Sequence, residues 1–122
     1  GEDYTVLNET CCGSVLARIG VSDDDIVKQM QRNVDAIKEQ GVEEVLFSCA
    51  GCYRMFKEEY PKHVNVPFKV KHISEYLAEK DLDLGRLEKK ITYHDPCHLG
   101  RHGYARYISV IHIQAGKEDH LS

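Results

Sequence analysis

Five cysteines are the residues best suited to chemistry in this chain of 122: Cys11 and Cys12 side by side, Cys49 and Cys52 with two residues between them, and Cys97 further on. Several thiolates converging from separate loops are what a soft, electron-rich metal centre requires, and Cys49-Ala50-Gly51-Cys52 supplies two of them from one turn. Ala50 and Gly51 are small enough to let the backbone approach a bound centre, and Gly13 does the same after Cys11 and Cys12. Neighbouring side chains on a regular strand point in opposite directions, so Cys11 and Cys12 can serve one centre only if the chain turns there or the centre is polynuclear. A multi-iron cluster fits that condition better than a single ion. An odd number of cysteines cannot pair completely, and the N-terminal residues lack the basic and apolar stretches of a secretory signal, so a disulfide framework is not expected.

The elements that must position these thiols are legible as alternating strands and helices. Tyr4-Thr5-Val6-Leu7 is expected as a strand, followed by the Cys11-Cys12-Gly13 loop and an apolar stretch from Val15 to Ile19. Ser22 reads as the cap of a helix with Asp23, Asp24 and Asp25 in its first turn. Ile26, Met30, Val34 and Ile37 then keep helical spacing, and Gly41 is placed to stop the helix. Val45-Leu46-Phe47 reads as a buried strand ending at the Cys49 loop, and Tyr53 to Tyr60 as a helix stopped by Pro61, whose Tyr53, Phe56 and Tyr60 are expected in the core. Phe68 to Lys71 is a third strand, Ile73 to Lys80 a short helix, and Ile91-Thr92-Tyr93 a fourth strand ending at Asp95-Pro96-Cys97. The expected fold is α/β, a mainly parallel sheet of about four strands with helices on both faces. All five cysteines then fall at the strands' C-terminal edge, where open α/β sheets hold their ligands.

Three segments together, Cys11-Cys12-Gly13, Cys49-Ala50-Gly51-Cys52-Tyr53 and Tyr93-His94-Asp95-Pro96-Cys97-His98-Leu99-Gly100-Arg101, resemble the cysteine-rich (CCG) domain of heterodisulfide reductase subunits. Similar domains occur in the iron–sulfur subunits of glycolate and lactate oxidases and of anaerobic glycerol-3-phosphate dehydrogenase. The resemblance runs from about Thr10 to Arg101. It implies a non-cubane [4Fe–4S] cluster, with Cys11, Cys12, Cys49 and Cys52 as metal ligands and Cys97 as a further cofactor-binding residue. It also implies electron transfer to a disulfide such as the coenzyme M–coenzyme B heterodisulfide. The family carries its module twice. Here the first copy lacks its opening cysteine, and Cys97 matches the opening cysteine of a second copy that then runs out. The expectation is a fragment of a longer subunit, inactive alone and holding little or no cluster, whose partners are other subunits or domains of an oxidoreductase complex, such as a ferredoxin-like or membrane-bound electron donor. Residues 1–104 form the cysteine-rich domain on this reading, and the tail 105–122 is unassigned.

Two other chemistries compete for the same residues. A Cys-x-x-Cys after a strand is the pattern of a thioredoxin-like dithiol, and Val66-Pro67 offers a cis-proline site beside it, but Cys11, Cys12 and Cys97 would then have no role. A structural zinc ion could take Cys11 or Cys12, Cys49, Cys52 and a fourth ligand. Buried or surface thiols without a ligand are the plain structural alternative. The Cys97-to-Arg101 spacing is too short for a phosphatase loop. Around the cysteines, His94, His98 and His102 flank Cys97, Arg54 and Arg101 could balance a negative cluster, and His72 lies on the cysteine edge as the preferred non-cysteine neighbour.

Apolar residues at 42% and charged residues at 30% exclude wholesale disorder. A net charge of −4, with Lys and Arg scattered, gives no phosphate-binding stripe, so nucleic acid is not an expected partner. No run is long and apolar enough for direct membrane insertion. A cytoplasmic location is the expectation, with any membrane association made through a partner subunit.

Overall fold

The computed structural model describes residues 3–7, 10–80, 82, 94 and 96–101. A single turn of 3-10 helix, Leu16–Arg18, precedes the long helix α1, Asp23–Glu39. Ser22 caps α1 as expected: its side chain accepts from the Asp25 amide, and the three aspartates occupy the first turn. Gly41 adopts a φ of +65°, the left-handed conformation that ends the helix without a Cβ penalty.

Strand β1, Glu44–Phe47, and strand β2, Lys69–His72, pair in parallel, with Val45 beside Val70 and Phe47 beside His72. Between them runs α2, Ala50–Arg54, which continues as a π-helical turn, Met55–Glu59, and a 3-10 turn, Tyr60–Lys62. This is the strand, cysteine turn and helix unit read from the sequence, but the helix begins three residues earlier than Tyr53. Pro61 does not break it, because it sits in the first turn of the 3-10 segment, where its missing N–H has no partner to lose. Helix α3, Ile73–Ala78, follows β2 directly and is two residues shorter than expected.

The described sheet has two strands rather than four. Tyr4–Leu7 lies in no ladder, which corrects the expectation of a first strand there. The fourth strand, Ile91–Tyr93, and the tail 105–122 lie outside the described residues.

The core is built from the inner face of α1, through Met30, Val34 and Ile37, against Val45 and Phe47 of β1 and an aromatic stack beneath α2. Phe56 is the hub of that stack, with ring centroids 4.7 Å from Phe47 and 4.0 Å from Tyr60. Tyr53, Phe56 and Tyr60 are all fully buried, as expected of an apolar helix face. Lys71 joins the sheet to α3 by pairing with Glu44 of β1 at 3.1 Å and Glu79 at 2.7 Å.

Candidate metal centre

Cys49 is the residue capping α2. Its extended backbone delivers the chain from β1 into the helix, and its carbonyl accepts from the Tyr53 amide. Cys52 then lies one turn into α2. Gly51 passes between the two loops: a Cβ there would stand 3.7 Å from both the Cys49 sulfur and the Ser14 hydroxyl. On the facing loop, Gly13 turns the chain with a φ of +84°, and its amide reaches the Cys11 sulfur at 3.4 Å.

These loops bring sulfurs together. Cys52 Sγ lies 3.2 Å from Cys12 Sγ, forty residues away in sequence, and it also hydrogen-bonds with the Cys49 thiol. Burial, reinforced by the Cys12 and Cys49 thiols, pushes the Cys52 thiol far above its ordinary range. Cys12 is buried, whereas Cys11 and Cys49 are exposed. Cys97 is exposed and opens the π-helical segment Cys97–Arg101, which packs on α2 with Leu99 buried in the core. The structure thus joins Cys52 to Cys12 on one side and to Cys49 on the other, keeps Cys11 on the loop that carries Cys12, and packs the segment opened by Cys97 on α2.

The other candidate residues have definite places. His72 ends β2, level with Phe47, is buried, and packs edge-on against Tyr53 with ring centroids 5.7 Å apart. Its Nδ1 accepts from the Ser74 amide, and its own amide donates to Glu75, so it caps α3 rather than reaching for the thiols. Arg54 pairs with Glu59 at 3.2 Å. His98 stands 2.8 Å from the Arg18 guanidinium and ties its segment to the first 3-10 turn. His94 is exposed. His102 and the Arg101 side chain lie outside what is described. Among the described residues no peptide bond is cis, so Val66-Pro67 is not the cis-proline of a thioredoxin-like site.

The thiol loop has supports that the cysteine pattern did not reveal. Asn33, buried on the inner face of α1, donates to the Cys11 carbonyl at 3.1 Å and to the Tyr60 hydroxyl at 2.9 Å. Tyr60 in turn donates to the Cys12 carbonyl at 3.0 Å. Gln29, one turn before Asn33, also donates to the Cys11 carbonyl. Burial holds the Tyr60 hydroxyl well above its usual pKa, opposed by the Asn33 hydrogen bond and helped by the nearby cysteines, so it remains a donor. The sequence signal was present: an asparagine between Met30 and Val34 on an otherwise apolar helix stripe.

The donor set fits a sulfur-ligated centre. Two thiolates on one tetrahedral metal stand about 3.8 Å apart, given metal–sulfur bonds of about 2.3 Å, only slightly wider than the Cys12–Cys52 approach. As placed, no three His, Cys, Asp or Glu side chains among the described residues are grouped to hold one metal ion. Beside the thiols a cleft of about 770 Å³ runs along β1, bounded by Leu7, Phe47, Cys49, Cys52 and Tyr76. That volume lies within the range of small-molecule sites.

Fold and thiol loops together define a cysteine-rich α/β module. Residues 3–57 match the model of the cysteine-rich domain (CCG), and the chain belongs to that family. It is 44% identical to a subunit of the dihydromethanophenazine:CoB–CoM heterodisulfide reductase of Methanosarcina acetivorans, over 84% of this chain and 28% of the relative. It is 36% identical to a subunit of the fumarate reductase (CoM/CoB) of Methanothermobacter marburgensis, over 76% of this chain and 19% of the relative. An iron–sulfur protein of Methanocaldococcus jannaschii is 38% identical over 77% of this chain and 19% of its own length. The chain therefore spans little more than a quarter of these relatives at most. No solved structure matches it. No described helix is long and apolar enough to cross a membrane.

Proposed function

We propose that this chain is the iron–sulfur cluster-binding portion of a heterodisulfide reductase-like oxidoreductase, with Cys11, Cys12, Cys49 and Cys52 as ligands and Cys97 on the adjoining segment. The observation that carries this reading is the convergence of Cys12, on its loop, with Cys52 in the first turn of α2, with Cys49 alongside at the helix cap. A dithiol enzyme needs only the two cysteines of one turn. Here the thiol nearest Cys52 across the loops is that of Cys12, which favours a site using both motifs. A centre of several irons, a [4Fe–4S] cluster of the non-cubane type, can use both adjacent cysteines, whereas the competing zinc site would take one of them.

Disulfide reduction takes two electrons and two protons, cleaving the S–S bond to give two thiols, whereas redox partners of the ferredoxin kind deliver electrons singly. A bound cluster supplies the one-electron chemistry that bridges the two. The chain's own contribution is to set Cys49 and Cys52 on the wall of the cleft beside β1, within reach of a small disulfide, with Cys12 buried behind Cys52 and Cys49 facing outward. Partner subunits or domains supply the electrons, and the substrate class is a low-molecular-weight mixed disulfide.

The test is anaerobic reconstitution with iron and sulfide, in this chain and in the longer subunit that contains it, with Cys12→Ser, Cys49→Ser and Cys52→Ser compared. Parallel loss of iron, of visible absorbance and of disulfide reduction in all three supports the cluster. Full activity in Cys12→Ser with Cys49→Ser and Cys52→Ser inactive would establish a dithiol instead.

A further inference from the structure

We infer that Asn33 and Tyr60 are positioning residues for the cysteine site: together they set the conformation of the Cys11–Cys12 loop and thereby hold Cys12 against Cys52. The inference rests on the reading of these thiols as the working site. On a regular strand consecutive carbonyls point in opposite directions. In this loop both the Cys11 and Cys12 carbonyls are held by one buried polar pair, Cys11 by Asn33 at 3.1 Å and Cys12 by Tyr60 at 3.0 Å. The N–H of a trans peptide lies opposite its carbonyl, so the amides of Cys12 and Gly13 are directed away from that pair. The Gly13 amide accordingly reaches the Cys11 sulfur.

The pair is itself locked. Asn33 uses its amide on Cys11 and Tyr60 while its oxygen accepts from the Thr10 hydroxyl at 2.7 Å. Both residues are buried, with Asn33 3% and Tyr60 0% exposed. Buried amides and hydroxyls cost free energy unless fully hydrogen-bonded, and a satisfied network fixes one arrangement of the groups it joins. Packing alone would be served by leucine at position 33, since Ile26, Met30, Val34 and Ile37 line the same face. The polar choice places one helix and one helical run on two successive peptide groups of the thiol loop. The result is the 3.2 Å approach of Cys12 to Cys52.

The experiment reads that approach without metal. In the chain with Cys11, Cys49 and Cys97 replaced by serine, oxidised glutathione converts the Cys12 and Cys52 thiols to a disulfide and releases two molecules of reduced glutathione. The equilibrium constant of that exchange measures how well the fold presents the two sulfurs to each other. Tyr60→Phe is expected to lower it about fivefold, the ratio corresponding to one hydrogen bond of about 1 kcal/mol, and Asn33→Leu by more. Val34→Ala, next to Asn33 but without a side-chain hydrogen bond in this network, lowers stability by cavity formation and is expected to leave the constant within about twofold. The inference is overturned if Tyr60→Phe and Asn33→Leu also stay within about twofold of the parent, or if Val34→Ala lowers the constant as much as they do. Either result concerns positioning alone, because iron retention in the Cys12→Ser comparison is measured separately.

Discussion

Cys12, on the loop before the first 3-10 turn, and Cys52, in α2, stand with their sulfurs 3.2 Å apart, so the fold brings the two cysteine motifs together. Mild anaerobic oxidation of the cluster-free chain with a small disulfide should therefore close Cys12 to Cys52 ahead of Cys49 to Cys52. Peptide mapping under non-reducing conditions checks this, and a predominant Cys49–Cys52 bridge would show that the turn, not the loop pair, governs thiol reactivity.

Cys52 should also resist alkylation. Burial, with the Cys12 and Cys49 thiols beside it, raises its pKa above the ordinary thiol value of 9.0. The thiol thus stays protonated in the folded chain at pH values where an unfolded one ionises. The folded state then holds the proton more tightly than the unfolded state, so this contribution to stability is present below pH 9.0 and is lost as pH rises toward the folded value. Mass spectrometry after iodoacetamide treatment at pH 8 to pH 9 should show Cys52 modified only slowly unless the chain is unfolded. Modification at the rate of an unfolded peptide would contradict the placement.

Acid sensitivity has a different source. Glu59 is held below the usual carboxylate range, first by the Lys62 hydrogen bond at 2.8 Å and further by the charge of Arg54. A depressed carboxylate stabilises the fold above its ordinary value of 4.5, and the contribution disappears as pH falls through the lower folded value. Glu59→Gln should flatten the acid limb of a stability–pH curve below pH 4.5 while lowering stability at pH 7. An unchanged acid limb in urea denaturation would show that the pair is without consequence.

Glu75 joins two elements at once. It accepts from the Tyr53 hydroxyl at 2.9 Å and from the His72 amide at 2.7 Å, closing the capping box of α3 and fastening it to α2. Glu75→Ala should cost about 1–2 kcal/mol, the range of a lost cap together with one lost side-chain hydrogen bond, and Tyr53→Phe about 1 kcal/mol. Because both changes break the same contact, the double variant should cost less than their sum in urea unfolding. Strict additivity would show that the contact carries no energy.

Much of this arrangement is legible in the residues alone. Ser22, the three aspartates and Gly41 mark α1 by local chemistry, and the strand before Cys49 is a short apolar run ended by a turn. Tyr4–Leu7 reads as a strand yet forms none, because strand propensity expresses itself only when a neighbouring strand offers a ladder, and among the described residues that run has none. Tyr60 is legible as core but not as a hydrogen-bond donor to Cys12, and the same holds for Asn33 as a donor to Cys11, because both roles depend on contacts across 22 to 48 residues that no local pattern encodes.

The π-helical turn Met55–Glu59 makes the stretch from Cys52 to Tyr60 a fixed gauge. The Tyr60 amide reaches back five residues to the Met55 carbonyl, so one residue more is wound into that turn than a regular α-helix would hold. Removing a residue between Met55 and Glu59 would swing everything beyond it about 100° around the helix axis. The Tyr60 hydroxyl would then leave the Cys12 carbonyl, although every cysteine kept its identity. The count of residues across this turn is as much a part of the sulfur site as the thiols, and length changes are better accommodated in the turn and loop at 63–67, past the 3-10 segment.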